Sequence, residues 1–196
     1  MAVGQTGSSA ETLLRDAELA MQVVKSRGKK NIAKFETSMH QDLVDRLALD
    51  QALQEAVADK HLRVVYQPII DLATGRLTGV EALCRWQHQE YGAVPPATFI
   101  ARAGATGLII ALGGWVLTAA TRQAALWQAT YPHLPKLSMS VNLSAYQLSE
   151  PALVDSILTA LAAAELVPSQ LTLEITESAV MSGQGPVRQD VLRHLG

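Results

Sequence analysis

Three stretches of mostly apolar sequence each carry one oxygen-bearing side chain where a strand would place it. They are Glu81 within residues 79–86, Asn142 within 138–144 and Glu174 within 171–176. Side chains alternate between the two faces of a strand. Glu81, Leu83 and Arg85 therefore share one side, and Val80, Ala82, Cys84 and Trp86 the other. By the same rule Ser138, Ser140, Asn142 and Ser144 face away from Met139, Val141 and Leu143, while Thr172, Glu174 and Thr176 oppose Leu171, Leu173 and Ile175. A carboxylate in apolar surroundings is costly unless it is paired, hydrogen-bonded or bound to a metal. Two carboxylates and an amide carbonyl are hard oxygen donors, which suit Mg²⁺, Mn²⁺ or Ca²⁺ better than zinc. A second reading has Glu81 paired with Arg85 in a structural ion pair and the other polar groups facing solvent. The residue pattern leaves both open.

Other chemistry is sparse. The histidines His40, His61, His88, His133 and His194 show no close metal-ligand spacing. The lone Cys84 excludes an internal disulfide and a multi-cysteine zinc cluster, in keeping with a reducing compartment such as the cytoplasm. Its strand face makes it a small core residue, and Trp86, Trp115 and Trp127 are read as core as well. Neither a serine-nucleophile motif nor a Walker-type phosphate loop occurs. A pI near 6.2 with 17% charged residues gives no broad basic face, so duplex nucleic acid is not an expected partner. Lys25, Arg27, Lys29 and Lys30 read as a solvated helix end.

The elements that must position these groups follow from periodicity. A helix is expected over 11–26, a short strand over 31–36, and a second helix over 41–60 with an Asp42/Arg46 pair on its surface. Strands over 63–70 and 77–86, joined by the turn at 73–76, must be antiparallel because the connection is so short. Pro68 lacks a ladder donor and suits an edge strand. Strands over 138–144 and 171–175 each follow a helical stretch, 97–130 and 151–164, and such crossovers imply parallel pairing. The run from 103 to 121, bounded by Arg102 and Arg122, has no charge and approaches the ~20 residues of a membrane span. Its four glycines and three threonines favour a buried helix instead. Residues 1–10 lack the charged start and apolar run of a signal peptide.

The motifs, taken in order, resemble a known family. Tyr66-Gln67-Pro68-Ile69, Gly79-Val80-Glu81-Ala82-Leu83-Cys84-Arg85-Trp86, Phe99-Ile100, Thr106-Gly107-Leu108-Ile109, Val141-Asn142-Leu143-Ser144 and Leu173-Glu174-Ile175-Thr176-Glu177-Ser178 resemble the successive motifs of EAL domains. The resemblance implies an α/β fold: a modified TIM-type barrel with an antiparallel first strand, incomplete here. It implies hydrolysis of cyclic di-GMP to a linear dinucleotide, with Mg²⁺ or Mn²⁺ held by Glu81, Asn142 and Glu174, and Gln67, Leu83 and Arg85 contacting the dinucleotide. The family's Asp-Asp motif, catalytic lysine and later glutamate would fall beyond Gly196, so no complete catalytic set is expected within the chain. A complete barrel needs about 250 residues.

Residues 11–36 resemble the end of a GGDEF diguanylate cyclase domain through Leu13-Leu14-Arg15-Asp16-Ala17-Glu18-Leu19-Ala20-Met21 and Lys25-x-x-Gly28-Lys29-x-Asn31. The expected organisation is a cyclase remnant over 1–40, a connecting helix over 41–60 and the first part of an EAL domain over 61–196. The parent would be a GGDEF-EAL tandem, with a homodimer an option left open. Three positions depart from the EAL pattern: Gly104 for the usual glutamate, Tyr146 for an arginine and Gln89 for a proline. The rival to an enzyme is a degenerate receptor that binds cyclic di-GMP without cleaving it.

Overall fold

The computed structural model describes residues 9–26, 32, 35–59 and 61–175. Half of the expected strand at 31–36 lies outside them, and its described residues Ile32, Phe35 and Glu36 are not in a strand. Thr176 to Ser178, the basic residues Arg27, Lys29 and Lys30, and His194 also lie outside, as does the Lys25 side chain.

Two compact units divide at residues 52 and 53. In the first, α1 (Ala10–Ser26) starts where Ser9 Oγ accepts a hydrogen bond from the Thr12 amide at 3.1 Å, satisfying one of the free donors of the first turn. Helix α2 (Thr37–Ala58) begins earlier than the expected residue 41. Gln41 Nε2 donates to Asp45 Oδ1 at 2.7 Å, whereas the expected Asp42/Arg46 pair does not form. An exposed i,i+4 pair is worth only a few tenths of a kcal/mol, too little to order two long side chains.

In the second unit, β1 (Leu62–Ile70), β2 (Leu77–His88), β4 (Ser138–Leu143) and β5 (Leu171–Ile175) form one sheet in the order β1-β2-β4-β5. Strand β1 is antiparallel to β2; β2, β4 and β5 are mutually parallel. This is the α/β arrangement expected of an incomplete barrel with an antiparallel first strand, and Pro68 lies on its outermost strand. A further strand, β3 (Gly92–Val94), folds back on the end of β2. Sequence periodicity did not reveal it, since its turn is built by a side chain: His88 Nδ1 accepts from the amides of Glu90 and Tyr91 at 3.2 and 3.3 Å, and its ring stacks on Tyr91.

The helical stretch expected over 97–130 is two helices, α3 (Pro96–Thr106) and α4 (Ile109–Thr130). Gly107 separates them in the left-handed region, at φ 79°. The uncharged run is thereby split between two helices. By length and composition α4 could cross a membrane, yet Leu112, Val116, Leu117, Ala120, Thr121 and Ala124 are buried in this fold. Tyr66 ties the helix to β1: its hydroxyl donates to the Ala119 carbonyl at 3.5 Å, and its ring meets Trp127 edge-on, 4.9 Å between centroids. A short helix α5 (Ala145–Leu148) and a longer α6 (Leu153–Ala164) follow β4. The core gathers Phe99, Met139, Val141, Leu148 and Ile157, all at most 2% exposed.

A Cβ at Gly107 would meet nothing within 4 Å, so replacing it tests backbone conformation alone. Gly107→Ala is expected to destabilise the fold by about 1–2 kcal/mol, the cost of a left-handed L-residue, measured as a lower urea midpoint with unchanged slope.

Candidate metal centre and ligand site

The site is assembled by register. Gln67 on β1 pairs with Glu81 on β2, Glu81 with Ser140 on β4, and Asn142 with Glu174 on β5. Neighbouring strands lie about 4.8 Å apart, so Glu81, Asn142 and Glu174 come from three adjacent strands on the face that alternation assigned them. The pairing of β2 with β4 ends at Ala82 and Val141. One residue further, Asn142 reaches sideways and its Nδ2 donates to Glu81 Oε1 at 2.7 Å. The opposite face is the packed one: Val80, Ala82, Trp86, Met139, Val141 and Leu143 are all buried.

This geometry decides against the ion pair. Four residues along a strand span about 13 Å, and Arg85 instead donates from Nη1 to the Cys84 carbonyl at 2.9 Å. Among the described residues no three His, Cys, Asp or Glu side chains converge; the oxygen-bearing groups that share this face on adjacent strands are two carboxylates and an amide. With Nδ2 committed to Glu81, Asn142 presents its carbonyl oxygen. Two carboxylates and a carbonyl fit part of the shell of a hard divalent cation, which commonly keeps several waters.

Beside Asn142 lies a cavity of about 650 Å³ whose wall includes Leu83, Arg85, Ile100, Gly104, Asn142 and Tyr146. The contribution of α3 and α5 to this wall was not foreseen from the strands. A signal was nonetheless present in the two departures at 104 and 146: a Cβ at Gly104 would stand 2.9 Å from Tyr146 Cε2, so the aromatic ring occupies the space the glycine leaves.

Cys84 belongs to the packed side and is half-buried. Burial pushes its thiol up to about 11, offset in part by the neighbouring Arg85 charge. Trp86 is buried, while Trp115 and Trp127 are half-buried, Trp127 against Tyr66.

The family model described as EAL domain matches residues 50–196. The chain belongs to the EAL family. Over 179 residues it is 38% identical to MucR of Pseudomonas aeruginosa, a bifunctional diguanylate cyclase/cyclic di-GMP phosphodiesterase, covering 89% of this chain and 25% of that protein. It is 38% identical over 192 residues to the oxygen sensor protein DosP of Escherichia coli, covering 97% of this chain and 24% of DosP. The chain thus spans about a quarter of the curated relatives it matches. Among solved structures, the MucR phosphodiesterase in complex with c-di-GMP superposes with a TM-score of 0.67 at 38% identity, over 76% of this EAL chain and 60% of that one.

The position of Cys84 makes a pH profile measurable. Because its folded pKa is raised, the neutral thiol is favoured by folding; that contribution is full below the unfolded pKa near 8.5 and is lost as pH rises toward about 11. Iodoacetamide is expected to label the folded chain slowly at pH 8 and faster as pH approaches 11, while the urea-unfolded chain reacts readily near pH 8.5. Mass spectrometry of the labelled fraction reads both.

Proposed function

We propose that this EAL chain supplies the metal-binding and part of the substrate-binding face of a cyclic-di-GMP phosphodiesterase. The observation that carries the reading is the 2.7 Å bond from Asn142 to Glu81, with Glu174 in register beside Asn142. It supports a reading in which three hard oxygen side chains act together near the rim of the parallel strands, where α/β folds bind their ligands. The family relationship supports cyclic di-GMP as the substrate, and the hard donors support Mg²⁺ or Mn²⁺ as the ion.

In this reading Glu81, Asn142 and Glu174 hold the ion. Such an ion would supply activation of water as a nucleophile and offset the negative charge developing on the phosphate oxygens. Arg85 holds a phosphate oxygen through its guanidinium fork. Leu83, between Glu81 and Arg85 on the same face, packs against the dinucleotide, and Gln67 reaches it from β1. Linear dinucleotide is the product.

The reading extends to the rest of the chain. Residues 1–40 are assigned to the end of a GGDEF domain, 41–60 to a connecting helix and 61–196 to the first part of the EAL domain, in a cytoplasmic GGDEF-EAL protein. The 196-residue chain by itself is expected to be inactive. Linear dinucleotide above a no-protein control in Mg²⁺ or Mn²⁺, followed by chromatography, would overturn that expectation.

In the gene product at its natural length, Glu81→Ala is expected to lower turnover of cyclic di-GMP at least a thousandfold, about 4 kcal/mol. Cys84→Ala, on the packed face, is expected to change thermal stability and leave turnover per folded molecule near wild type. Retention of more than about a tenth of the rate in Glu81→Ala, less than ~1.4 kcal/mol, removes its role as a metal ligand. Binding of cyclic di-GMP by the wild type with no hydrolysis at all would point to a receptor.

A further inference from the structure

We infer that Gln147, seated on Gly113, is a positioning residue that fixes Asn142 and thereby sets the divalent-ion affinity of the site; the inference rests on the metal-binding reading above. Asn142 stands where the sheet restrains it least. The ladder from β4 to β2 has already ended at Val141, so the backbone of Asn142 and Leu143 is paired only on the β5 side, with Glu174 and Ile175. Toward β2, Asn142 is held by a side-chain bond to Glu81. An amide that must aim its oxygen at a cation needs a firmer anchor than that.

The anchor lies two residues downstream. Ser144 is the N-cap of α5, and its Oγ accepts from the Gln147 amide at 3.3 Å. In return Gln147 Oε1 accepts from the Ser144 amide at 3.2 Å and from Ser144 Oγ at 3.0 Å. This reciprocal capping box ties the first residue after β4 to a side chain that is 6% exposed. Gln147 is itself wedged against α4: a Cβ at Gly113 would overlap its side-chain amide, whereas a Cβ at the adjacent Gly114 would meet nothing within 4 Å. Glycine weakens a helix interior, and the close approach of Gln147 accounts for the one at 113.

A second notch repeats the device, with Tyr146 lying over Gly104 of α3. The short helix α5 is thus keyed into two glycines from two different helices, and its N-cap is separated from Asn142 by Leu143 alone. A wrong seat for Gln147 shifts Ser144, and the shift passes along one residue to the Asn142 side chain. Partners that orient a metal ligand commonly change affinity by about 10–100-fold when removed.

The test uses the gene product at its natural length, with Mn²⁺ as the probe, titrated without substrate. Gln147→Leu and Gly113→Ala are expected to weaken Mn²⁺ binding by about tenfold or more. Ser144→Thr, which keeps the capping hydroxyl, is expected to stay near the wild-type value. In metal-free protein, exchange of the Asn142 side-chain amide protons, followed by NMR, is expected to be faster in Gln147→Leu than in wild type. Should Gln147→Leu fail to fold, Ser144→Ala carries the test, since it deletes a single hydroxyl and is expected to weaken Mn²⁺ binding severalfold. Wild-type Mn²⁺ affinity and amide exchange in a folded Gln147→Leu, or in Ser144→Ala when that is the folded variant, overturn the inference. Absence of Mn²⁺ binding in the wild type sinks the metal reading, a failure distinct from unaltered affinity in the variants.

Discussion

Parallel pairing of β2, β4 and β5 is the constraint on which the rest of the second unit depends. Strands running the same way deliver their carboxyl ends to a single rim, and a period of two sends every second side chain to the same face. Glu81, Asn142 and Glu174 are 61 and 32 residues apart in the chain, yet register brings them into adjacent rows. A slip of one residue in β4 would turn Asn142 into the packed face and Leu143 out of it. The apolar neighbours therefore defend the site: burying Met139, Val141 and Leu143 is what keeps Asn142 beside Glu81.

The polar face carries its own cost, which local bonds offset. Ser138 and Thr172 join their hydroxyls at 3.0 Å across β4 and β5, and nearer the rim Asn142 bonds Glu81 across β4 and β2. Ser140, between them, is 4% exposed. Paired polar groups in such a place add specificity to the register, since any slip would leave donors and acceptors without partners.

On the other side of the sheet, α4 is held by shape as much as by area. Tyr66 offers both an aromatic edge to Trp127 and a hydroxyl to the Ala119 carbonyl, so one β1 residue fixes the helix in two ways. Gly107 lets the chain turn from α3 into α4 without a loop of any length, which keeps α3 close to the ends of β2 and β4. Those ends are where the cavity opens, and its wall draws on α3, α4 and α5 together. The cavity and Asn142 thus share the same strand ends, but different elements shape the cavity and the polar face.

What the sequence by itself determined is whatever obeys a local period. Alternation in 79–86, 138–144 and 171–175 was enough to sort Glu81, Asn142 and Glu174 from their apolar neighbours, and the short turn after Ile70 was enough to make β1 antiparallel. Tertiary structure alone decided what depends on contact between elements. The break at Gly107 was hidden because a glycine inside a long apolar run is compatible with a continuous helix, and β3 was hidden because the imidazole of His88 builds its turn. Whether Glu81 would meet Arg85 or Asn142 turned on strand length against strand spacing: about 13 Å along one chain, about 4.8 Å to the next. Nor could any local pattern show that Gly113 and Gly104 are the seats of Gln147 and Tyr146, because a glycine's reason for being small lies in the side chain that another element brings against it.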